Sequence, residues 1–535
     1  MDNAAIADRL DAFAALLELS EANPYTIRAY RRASELIRGT AAPVEKLVRQ
    51  GRIKELRGIG SGIEARLKEL LETGQIAELA ELERELTPGL IGLGRYLGLT
   101  AKRSIELARG LGVSTPLEFR EAAAAGRLRD VPGVGPKLEL QILEALARPG
   151  EPRPPRSILL TTARELVAGI ADQLGGEPAG DPRRWRDACE RLAVVCATPD
   201  PAPVIARFAE LPQIVAIIEQ RERHACGVTV EGVPVELVAA EPHRFGTELL
   251  RATGAPAYVA ALGELPDAAT EEEAYAKLGV PYCPPELREA PFSGEPPALV
   301  ELADIRGDLH CHTTWSDGRA SVLEMGRAAR DRGYEYLAIC DHTPAVGAVK
   351  GLTPDEVRRQ GEEIAAANEA LAPFRVLRGI ECDILPDGRL DLPDDVLAEL
   401  DWVQASVHGG QRMRGPEMTR RVVEAISNPH VSCLSHPTGR LIGRRPESAV
   451  DLGRVYEVAR EHGVAVEVNG LPPRLDLRGE HVRDAIAAGV KIVCSTDSHG
   501  PERLAYMELA VRTARRGGAT AADVVNTGPA LALGR

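Results

Sequence analysis

The stretch GDLHCHTTWSDG, Gly307–Gly318, holds two histidines, two aspartates and one cysteine within twelve residues. Side chains alternate between the two faces of a β-strand, so His310 and His312 share one face and Cys311 lies on the other. Asp317 follows the end of this strand. The pattern predicts a site that binds metal ions, with Cys311 in the core behind it.

Short apolar strands alternate with helical segments from Arg306 to the end of the chain. After the first strand they read YLAICDH, FRVLRGIECDI, DWVQASVH, VSCLSH, VAVEVNG and VKIVCSTDSH. A strand–helix rhythm of this kind predicts a parallel sheet that closes into a barrel.

Residues with metal-binding side chains stand where these strands end, and nine of the eleven histidines follow residue 300. In chain order they are His310, His312, Asp317, His342, Glu381, His408, His436, Asp497 and His499. A single histidine is more often structural, but side chains from successive strands converge at the C-terminal mouth of a barrel. The set therefore predicts a polynuclear site, and its nitrogen and oxygen ligands suit zinc, manganese or iron alike.

The first 150 residues consist of short amphipathic helices, such as IADRLDAFAALLEL and PYTIRAYRRASELI, separated by glycine turns. LRGIGSGIEARL (Leu56–Leu67) and VPGVGPKLELQIL (Val131–Leu143) share the pattern hydrophobe-x-Gly-hydrophobe-Gly before a helix. YLGLTAKRSIEL (Tyr96–Leu107) keeps the outline, with Thr100 in place of the second glycine. Such turns leave the first N–H groups of the next helix free to bind a phosphate.

A basic segment accompanies these turns: nine basic residues stand against three acidic ones between Arg28 and Arg57. The predicted DNA-binding residues are Gly58, Gly60, Gly62, Gly133, Gly135, Lys137, Arg28, Arg31 and Arg32. Contacts of this kind meet the nucleic-acid backbone and read no base sequence. A solvated helix face, or a plain helical bundle, remains the alternative.

Composition narrows the class of protein. The chain has 535 residues, which predicts several domains, and a net charge of −14, which argues against coating nucleic acid with the whole surface. It contains no run of about 18 apolar residues, so no membrane span is predicted. Nine scattered cysteines with no CxxC pair predict reduced thiols and a cytoplasmic location.

Several motifs resemble known families. The glycine turns resemble the helix-hairpin-helix, a sequence-independent DNA-binding element. HxH, DH, GIE, SVH, SHP and TDSH, over about residues 301–535, resemble the polymerase-and-histidinol-phosphatase (PHP) domain. Through NPYTIRAYRRASELIRG, GIGSGIEARLKELLETG, VPGVGPK and LGVPYCPPELRE, nearly the whole chain resembles a bacterial family X DNA polymerase with a C-terminal PHP domain.

This resemblance implies a multidomain fold. All-α domains with helix-hairpin-helix elements would occupy residues 1–85 and 86–150, the second of them fingers-like. An α+β nucleotidyltransferase-like palm and thumb would occupy 151–290, and a distorted (β/α)7 PHP barrel 301–535. The proline-rich stretches PGEPRPP and APFSGEPPALVE would be the linkers.

The PHP resemblance also implies three metal ions. His310, His312, Glu381 and Asp497, the predicted catalytic set, would hold the first. Glu381 would bridge to a second ion, held also by His408 and His436, and Asp317, His342 and His499 would hold the third. Paired ions about 4 Å apart can lower the pKa of a water molecule and clamp a phosphodiester.

Two arginines fall where the PHP family carries basic residues near its site, Arg440 in HPTGRLIGRR and Arg474 in GLPPRLDL. Guanidinium groups match phosphate bidentately, so both are predicted to bind phosphate. Plain surface arginines are the alternative interpretation.

The palm departs from the family pattern where its chemistry would lie. Family members carry Gly-Ser, an arginine-rich loop and then GDxD, whose aspartates bind magnesium together with a third. In AGDPRRWRDACERLAVVCAT the two aspartate positions are Arg191 and Ala193, and the third is Glu236 in GVPVELVAA. One carboxylate cannot hold two magnesium ions, so polymerase activity is not expected. The lysine that some members use as a lyase nucleophile is likewise replaced, by Arg66.

The sequence therefore predicts a DNA-repair enzyme that hydrolyses phosphoesters in its PHP domain, as a 3′→5′ exonuclease or in processing DNA ends or abasic sites. Gapped or 3′-ended DNA would be the partner, and the protein would be monomeric. Three alternatives remain: a small-molecule phosphatase of the histidinol-phosphatase type, a non-catalytic DNA-binding scaffold, and a still-active polymerase.

Overall fold

The computed structural model describes residues 1–80, 99, 101–147, 156–292 and 294–529. Contacts divide the chain into two compact units. The first unit comprises Met1–Ile158, Gly169–Glu177 and Glu190–Ala240, and the second Leu159–Ala168, Pro178–Cys189 and Glu241–Arg535. No helix among the described residues is both long enough and apolar enough to span a membrane.

The bounds of the helices among the described residues are as follows. They are α1 (Asn3–Leu19), α2 (Pro24–Gly39), α3 (Val44–Arg49), α4 (Ser61–Thr73), α5 (Ala101–Leu111), α6 (Pro116–Ala124), α7 (Pro136–Ala147), α8 (Leu160–Leu174), α9 (Ala202–Glu210), α10 (Phe245–Thr253), α11 (Pro256–Ala261), α12 (Glu271–Leu278), α13 (Val322–Asp331), α14 (Pro354–Leu371), α15 (Asp394–Leu397), α16 (Gly415–Ile426), α17 (Leu452–His462), α18 (Gly479–Ala487) and α19 (Met507–Arg516).

The strands of the same residues are β1 (Ile158–Leu159), β2 (Glu177–Gly180), β3 (Ala188–Cys189), β4 (Leu192–Ala197), β5 (Ile214–Gln220), β6 (His224–Thr229), β7 (Pro234–Ala240), β8 (Gly307–Cys311), β9 (Tyr336–Ile339), β10 (Arg375–Asp383), β11 (Trp402–Ser406), β12 (Cys433–Leu434), β13 (Ala465–Asn469) and β14 (Ile492–Ser495).

The two glycine turns adopt one conformation. In each, a short 3₁₀ helix, Ile53–Glu55 or Arg127–Asp130, precedes a glycine with positive φ, which is +99° at Gly58 and +79° at Gly133. A side chain rarely adopts this left-handed region, so glycine is required there. Helices α4 and α7 start directly after these turns, as the glycine pattern predicts. The third copy, Tyr96–Leu107, lies partly outside the described residues.

One apolar core holds the first unit together. Ile6, Leu10 and Ile37 of α1 and α2 are fully buried in the same cluster as Val215 of β5 and Val228 of β6. Four strands of the unit lie in the order β4–β7–β6–β5, with β4 and β7 parallel and the other pairs antiparallel. The antiparallel strands β6 and β7 form a hairpin that turns at Gly232, where φ is +76°.

The second unit contains the predicted barrel. Its seven strands lie in the order β14–β13–β12–β11–β10–β9–β8, with all neighbours parallel. A parallel bridge between Cys311 and Ser498 connects the two end strands, so the barrel is nearly closed. Every residue of β8, β9, β11, β12, β13 and β14 is buried, as expected for strands covered on both faces. The distorted (β/α)7 barrel is thereby confirmed.

All nine cysteines are free, and those on the barrel strands are buried. Burial and the nearby Asp308 raise the pKa of the Cys311 thiol, and burial raises that of Cys340. A buried neutral thiol is a poor nucleophile, so the cysteines act here as core residues.

Candidate metal centre

Glu381 lies at the centre of the predicted cluster, near the end of β10, with a side chain only 1% exposed. Its Oε1 is 2.8 Å from His436 Nε2 and 3.3 Å from His408 Nε2. Its Oε2 is 3.0 Å from His342 Nδ1 and 3.4 Å from His310 Nε2. Each carboxylate oxygen therefore faces two imidazoles, an arrangement suited to a bridging ligand.

The other predicted ligands gather on either side of His312. Its Nε2 is 3.2 Å from Asp497 Oδ1 and 3.2 Å from His310 Nε2. Asp317 Oδ2 lies 3.2 Å from His499 Nε2, and Asp317 Oδ1 lies 3.6 Å from His342 Nε2. All nine predicted residues thus lie in one continuous cluster.

Three groups within this cluster have donor atoms within 4.8 Å of one another. They are His312, Asp317, His342 and His499; His310, His312 and Asp497; and His342, Glu381 and His408. These groups overlap with the ligand sets implied by the resemblance but are not identical to them. His312 and His342 each belong to two groups, Glu381 belongs to one, and His436, which lies 2.8 Å from Glu381 Oε1, belongs to none.

The chemistry of the donors fits divalent ions. Imidazole nitrogen and carboxylate oxygen atoms face one another in the cluster, and zinc, manganese and iron accept both kinds of ligand. The Nδ1 atoms of His312 and His436 are buried and have no hydrogen-bond partner among the described residues. A buried ring nitrogen without a partner is costly unless something binds it.

Backbone strain accompanies two of these residues. His436 has φ of +26° and Asp497 has φ of +52°, although neither is glycine. Left-handed backbone of this kind costs about 1–3 kcal/mol and is concentrated at functional sites. Both residues lie just after the end of a barrel strand, β12 for His436 and β14 for Asp497.

Electrostatic coupling keeps the carboxylates charged. Burial opposes ionisation of Glu381, but His408, His342 and His310 hold its pKa well below the usual range. Burial also opposes the charged form of His408, yet Glu381 and Asp383 raise its pKa to about 10. His312 behaves oppositely, because burial and the neighbouring His499 and His342 lower its pKa to about 3.

Glu467 of β13 belongs to the site but was not predicted. It is fully buried, its Oε1 lies 2.6 Å from His310 Nδ1, and its Oε2 accepts the backbone N–H of His436 at 2.6 Å and the Ser435 hydroxyl at 2.9 Å. The available signal was a lone glutamate within the valine-rich strand VAVEVNG. A charged residue in a buried strand must have partners, since burying an unpaired charge is costly.

The two predicted phosphate-binding arginines differ in their surroundings. Arg474 Nε lies 3.7 Å from Asp497 Oδ2, and its Nε and Nη1 are buried with no hydrogen-bond partner among the described residues. Arg440 is engaged elsewhere: Nη1 contacts Asp187 Oδ2 at 2.6 Å, Nε donates to the Arg474 carbonyl at 2.9 Å, and Nη2 donates to the Leu475 carbonyl. Arg440 thus supports the backbone that carries Arg474.

The predicted DNA-binding residues of the first unit are partly committed to contacts within it. Arg31 pairs with Glu18, and the Arg28 guanidinium stacks 4.6 Å from the centre of the Tyr25 ring. Arg32 is exposed. An added Cβ at Gly60 or Gly135 would meet no atom within 4 Å, so both turns face open space. The side chain of Lys137 lies outside the described residues.

The altered palm positions lie side by side. Parallel pairing of β4 with β7 aligns Ala193 with Glu236, and Arg191 immediately precedes β4. Ala193 is 3% exposed, and Glu236 is half-buried. Arg66, at the lyase position, contacts Glu69 at 2.7 Å and also pairs with Glu78.

Comparisons with known proteins agree with this architecture. The family described as "Helix-hairpin-helix domain" matches residues 1–76, and the family described as "PHP domain" matches residues 308–469. The chain therefore joins a helix-hairpin-helix domain to a phosphoesterase domain of the PHP class.

A match along nearly the whole chain identifies the family. The chain is 34% identical over 551 residues to "DNA polymerase/3'-5' exonuclease PolX" of Bacillus subtilis (strain 168), covering 97% of this chain and 96% of that protein. The protein belongs to the PolX family, the bacterial family X DNA polymerases with a C-terminal PHP domain.

Shorter proteins match part of the chain. A "Probable phosphatase" of Acetivibrio thermocellus is 31% identical over 202 residues, covering 36% of this chain and 78% of that protein. A probable phosphatase of Thermoanaerobacter sp. (strain X514) is 27% identical over 232 residues, covering 41% of this chain and 89% of that protein.

Proposed function

We propose that the barrel hydrolyses phosphodiester bonds at DNA ends with divalent ions held by the nine clustered side chains. The observation that carries this proposal is the position of Glu381, whose two carboxylate oxygens lie within 3.4 Å of four imidazoles. The same proposal includes three metal ions, and these ions would be zinc, manganese or iron.

Divalent ions bound here would neutralise phosphate charge and lower the pKa of a water molecule that attacks phosphorus. The ligands would be His310, His312, Asp317, His342, Glu381, His408, His436, Asp497 and His499. Glu467 would fix His310 by accepting a hydrogen bond from Nδ1, so that Nε2 faces the ion. Arg474 would bind a phosphate oxygen, since its guanidinium has unused donors beside Asp497.

DNA is the proposed substrate because two features point to it independently. The helix-hairpin-helix turns present backbone N–H groups to a phosphate chain without reading bases. The Bacillus subtilis relative is named a DNA polymerase and 3'-5' exonuclease. We propose 3′→5′ exonuclease activity, or processing of gapped ends and abasic sites in repair, as the role of this chain.

The palm is proposed to have lost nucleotide addition. Ala193 and Glu236 occupy paired positions of β4 and β7, so one carboxylate remains where the family has three. The cationic side chain of Arg191 would oppose a magnesium ion at the remaining position. The palm would then serve to position DNA.

A small-molecule phosphatase is the second candidate function, because relatives named as probable phosphatases match 36% and 41% of this chain. Such an enzyme would hydrolyse a phosphomonoester without using the first unit. Comparison of turnover on a 3′-recessed duplex and on histidinol phosphate distinguishes the two functions.

The decisive experiment compares His310→Ala and Glu381→Gln with the unaltered protein and with His462→Ala, an exposed histidine at the end of α17. Bound metal is first removed with a chelator, and manganese, zinc or magnesium is then added separately. Release of nucleotides from a 3′-recessed duplex is measured with each metal. Both site variants are expected to lose turnover and keep DNA affinity, while His462→Ala keeps both. Full turnover in either site variant would refute the assignment.

The domain boundaries 1–85, 86–150, 151–290 and 301–535, a monomeric state and a cytoplasmic location also remain proposals. Size-exclusion chromatography with light scattering measures the oligomeric state directly.

A further inference from the structure

Charge is distributed unequally around the mouth of the barrel. The loops after β11, β12 and β13, which are neighbouring strands, span residues 407–414, 435–451 and 470–478. They contain the seven arginines Arg412, Arg414, Arg440, Arg444, Arg445, Arg474 and Arg478 and three acidic residues. The loops after β8, β9 and β10, at 312–321, 340–353 and 384–393, contain three basic and four acidic residues.

The three acidic residues of the arginine-rich loops make contacts with other groups. Glu447 Oε2 lies 3.1 Å from His481 Nε2. Asp451 caps α17 by accepting the Arg454 backbone N–H at 3.2 Å. Asp476 is fully buried and accepts the Thr438 backbone N–H at 3.2 Å. None of these contacts neutralises an exposed arginine of the 407–414 loop.

The arginines run from the exposed rim to the metal centre. Arg412, Arg414 and Arg444 are exposed, and within the described part of the chain no ion pair or side-chain hydrogen bond engages them. Arg445 is half-buried, and the proximity of Arg474 adds to burial in lowering its pKa. Arg474 then reaches to 3.7 Å from Asp497. Arg445 Nε donates to the Gly439 carbonyl, so the exposed Arg412, Arg414 and Arg444 are the cations free to attract a polyanion.

We propose, on the basis of the phosphodiesterase function above, that these three loops form a track for the backbone of a single DNA strand. The strand would enter over Arg412, Arg414 and Arg444 and place its 3′-terminal phosphodiester at Arg474 and the ligand cluster. A small ester requires only the inner end of this track. The exposed arginines would favour binding of a DNA strand over binding of a small ester. The barrel would thus bind DNA through a surface separate from the helix-hairpin-helix elements.

The first test is the double variant Arg412→Gln/Arg414→Gln in the full chain. Its matched control is Arg330→Gln/Arg332→Gln, which removes the same charge with the same spacing at the opposite end of the barrel, where α13 ends before β9. Turnover is measured on a single-stranded oligonucleotide and on bis(p-nitrophenyl) phosphate at several salt concentrations.

For the oligonucleotide, the logarithm of kcat/KM is plotted against the logarithm of salt concentration. Loss of two phosphate contacts should make this plot less steep by about 1.4. The KM for the oligonucleotide should rise while its kcat is retained. Turnover of the small ester checks that the metal-binding cluster is intact. The control should retain the original slope. Equal slopes and KM values in both double variants would overturn the track.

A second measurement is independent of hydrolysis. An oligonucleotide with 5-iodouridine four nucleotides from a phosphorothioate-protected 3′ end is cross-linked to the unaltered protein by light, and the peptides are identified by mass spectrometry. Cross-links within residues 407–445 support the track, and cross-links confined to residues 1–147 contradict it. If the protein hydrolyses neither substrate, the proposed function fails, while the cross-links still decide the location of the strand.

Discussion

Glu467 contacts His310 from behind: its Oε1 lies 2.6 Å from Nδ1, while the opposite ring nitrogen, Nε2, lies 3.4 Å from Glu381. Burial opposes ionisation of Glu467, but His310 lowers its pKa to about 2, so the carboxylate stays charged. A carboxylate in this position fixes the tautomer of a ligating imidazole and increases its basicity. Glu467 would therefore support His310 as a metal ligand without belonging to the predicted ligand set.

The first prediction follows from this contact. Glu467→Gln retains the size of the side chain and removes its charge, so metal affinity should fall by about 10–100-fold, the usual effect of losing such a partner. Metal retained after dialysis against a graded chelator measures this. Glu457→Gln, on the exposed face of α17, is the matched control. Unchanged affinity in the Glu467 variant would mean that His310 needs no support.

The second prediction concerns Asp187 and Arg440, which form an ion pair at 2.6 Å with side chains only 16% and 9% exposed. Arg440 in turn holds the carbonyls of Arg474 and Leu475. Removal of one partner of a buried pair leaves an uncompensated charge and costs about 3–5 kcal/mol. Asp187→Asn should therefore lower the melting temperature and displace Arg474, so that KM for phosphoester rises.

Asp331→Asn provides the comparison, because Asp331 pairs with Arg330 at the surface, where an ion pair contributes about 0–1 kcal/mol. Kinetics are measured well below the melting temperature of every variant. A lower melting temperature with unchanged KM would assign Asp187 a purely structural role.

The sequence predicted the barrel and the clustering of nine residues because both depend on local patterns. Each of these side chains lies on a strand or in the loop that follows it, and parallel strands bring such positions to one end. Glu467 was overlooked because it stands inside a strand and has no motif around it. The Asp187–Arg440 pair could not be predicted, since nothing in AGDPRRWRD indicates which distant loop it meets.

The helix-hairpin-helix turns were predictable for a similar reason, because a glycine with positive φ leaves a signature in the sequence. The apolar core that the N-terminal helices share with β5 and β6 was not predictable from the sequence. Deletion of residues 1–150, an obvious test of DNA binding, would uncover Val215 and Val228, which are buried in one cluster with the N-terminal helices. Point variants are therefore the better test.

The third prediction uses such variants in the first unit. Arg28→Gln/Arg32→Gln should weaken binding of duplex DNA equally for unrelated sequences, because the contacts are to phosphates. The logarithm of affinity should depend less steeply on salt, by about 1.8 for two lost contacts. Fluorescence anisotropy measures both quantities, with Arg120→Gln in α6 as a single-charge control. Sequence-dependent losses would indicate base recognition and contradict the assignment.

The fourth prediction tests the altered palm. Parallel pairing places Ala193 beside Glu236, and Arg191 lies directly before the strand, so the three positions where the family binds magnesium hold one carboxylate. Because a single carboxylate beside an arginine cannot hold two magnesium ions, no divalent ion should support nucleotide addition to a gapped primer. The assay uses His310→Ala, so that the protein's own nuclease cannot remove extension products.

The triple variant Arg191→Asp/Ala193→Asp/Glu236→Asp, in the same background, rebuilds the carboxylate cluster. Any nucleotide addition that it gains would show that the pairing of β4 with β7 aligns the residues of the polymerase site. Robust templated extension by His310→Ala alone would show that the carboxylates lie elsewhere, and the chain would then be an active polymerase.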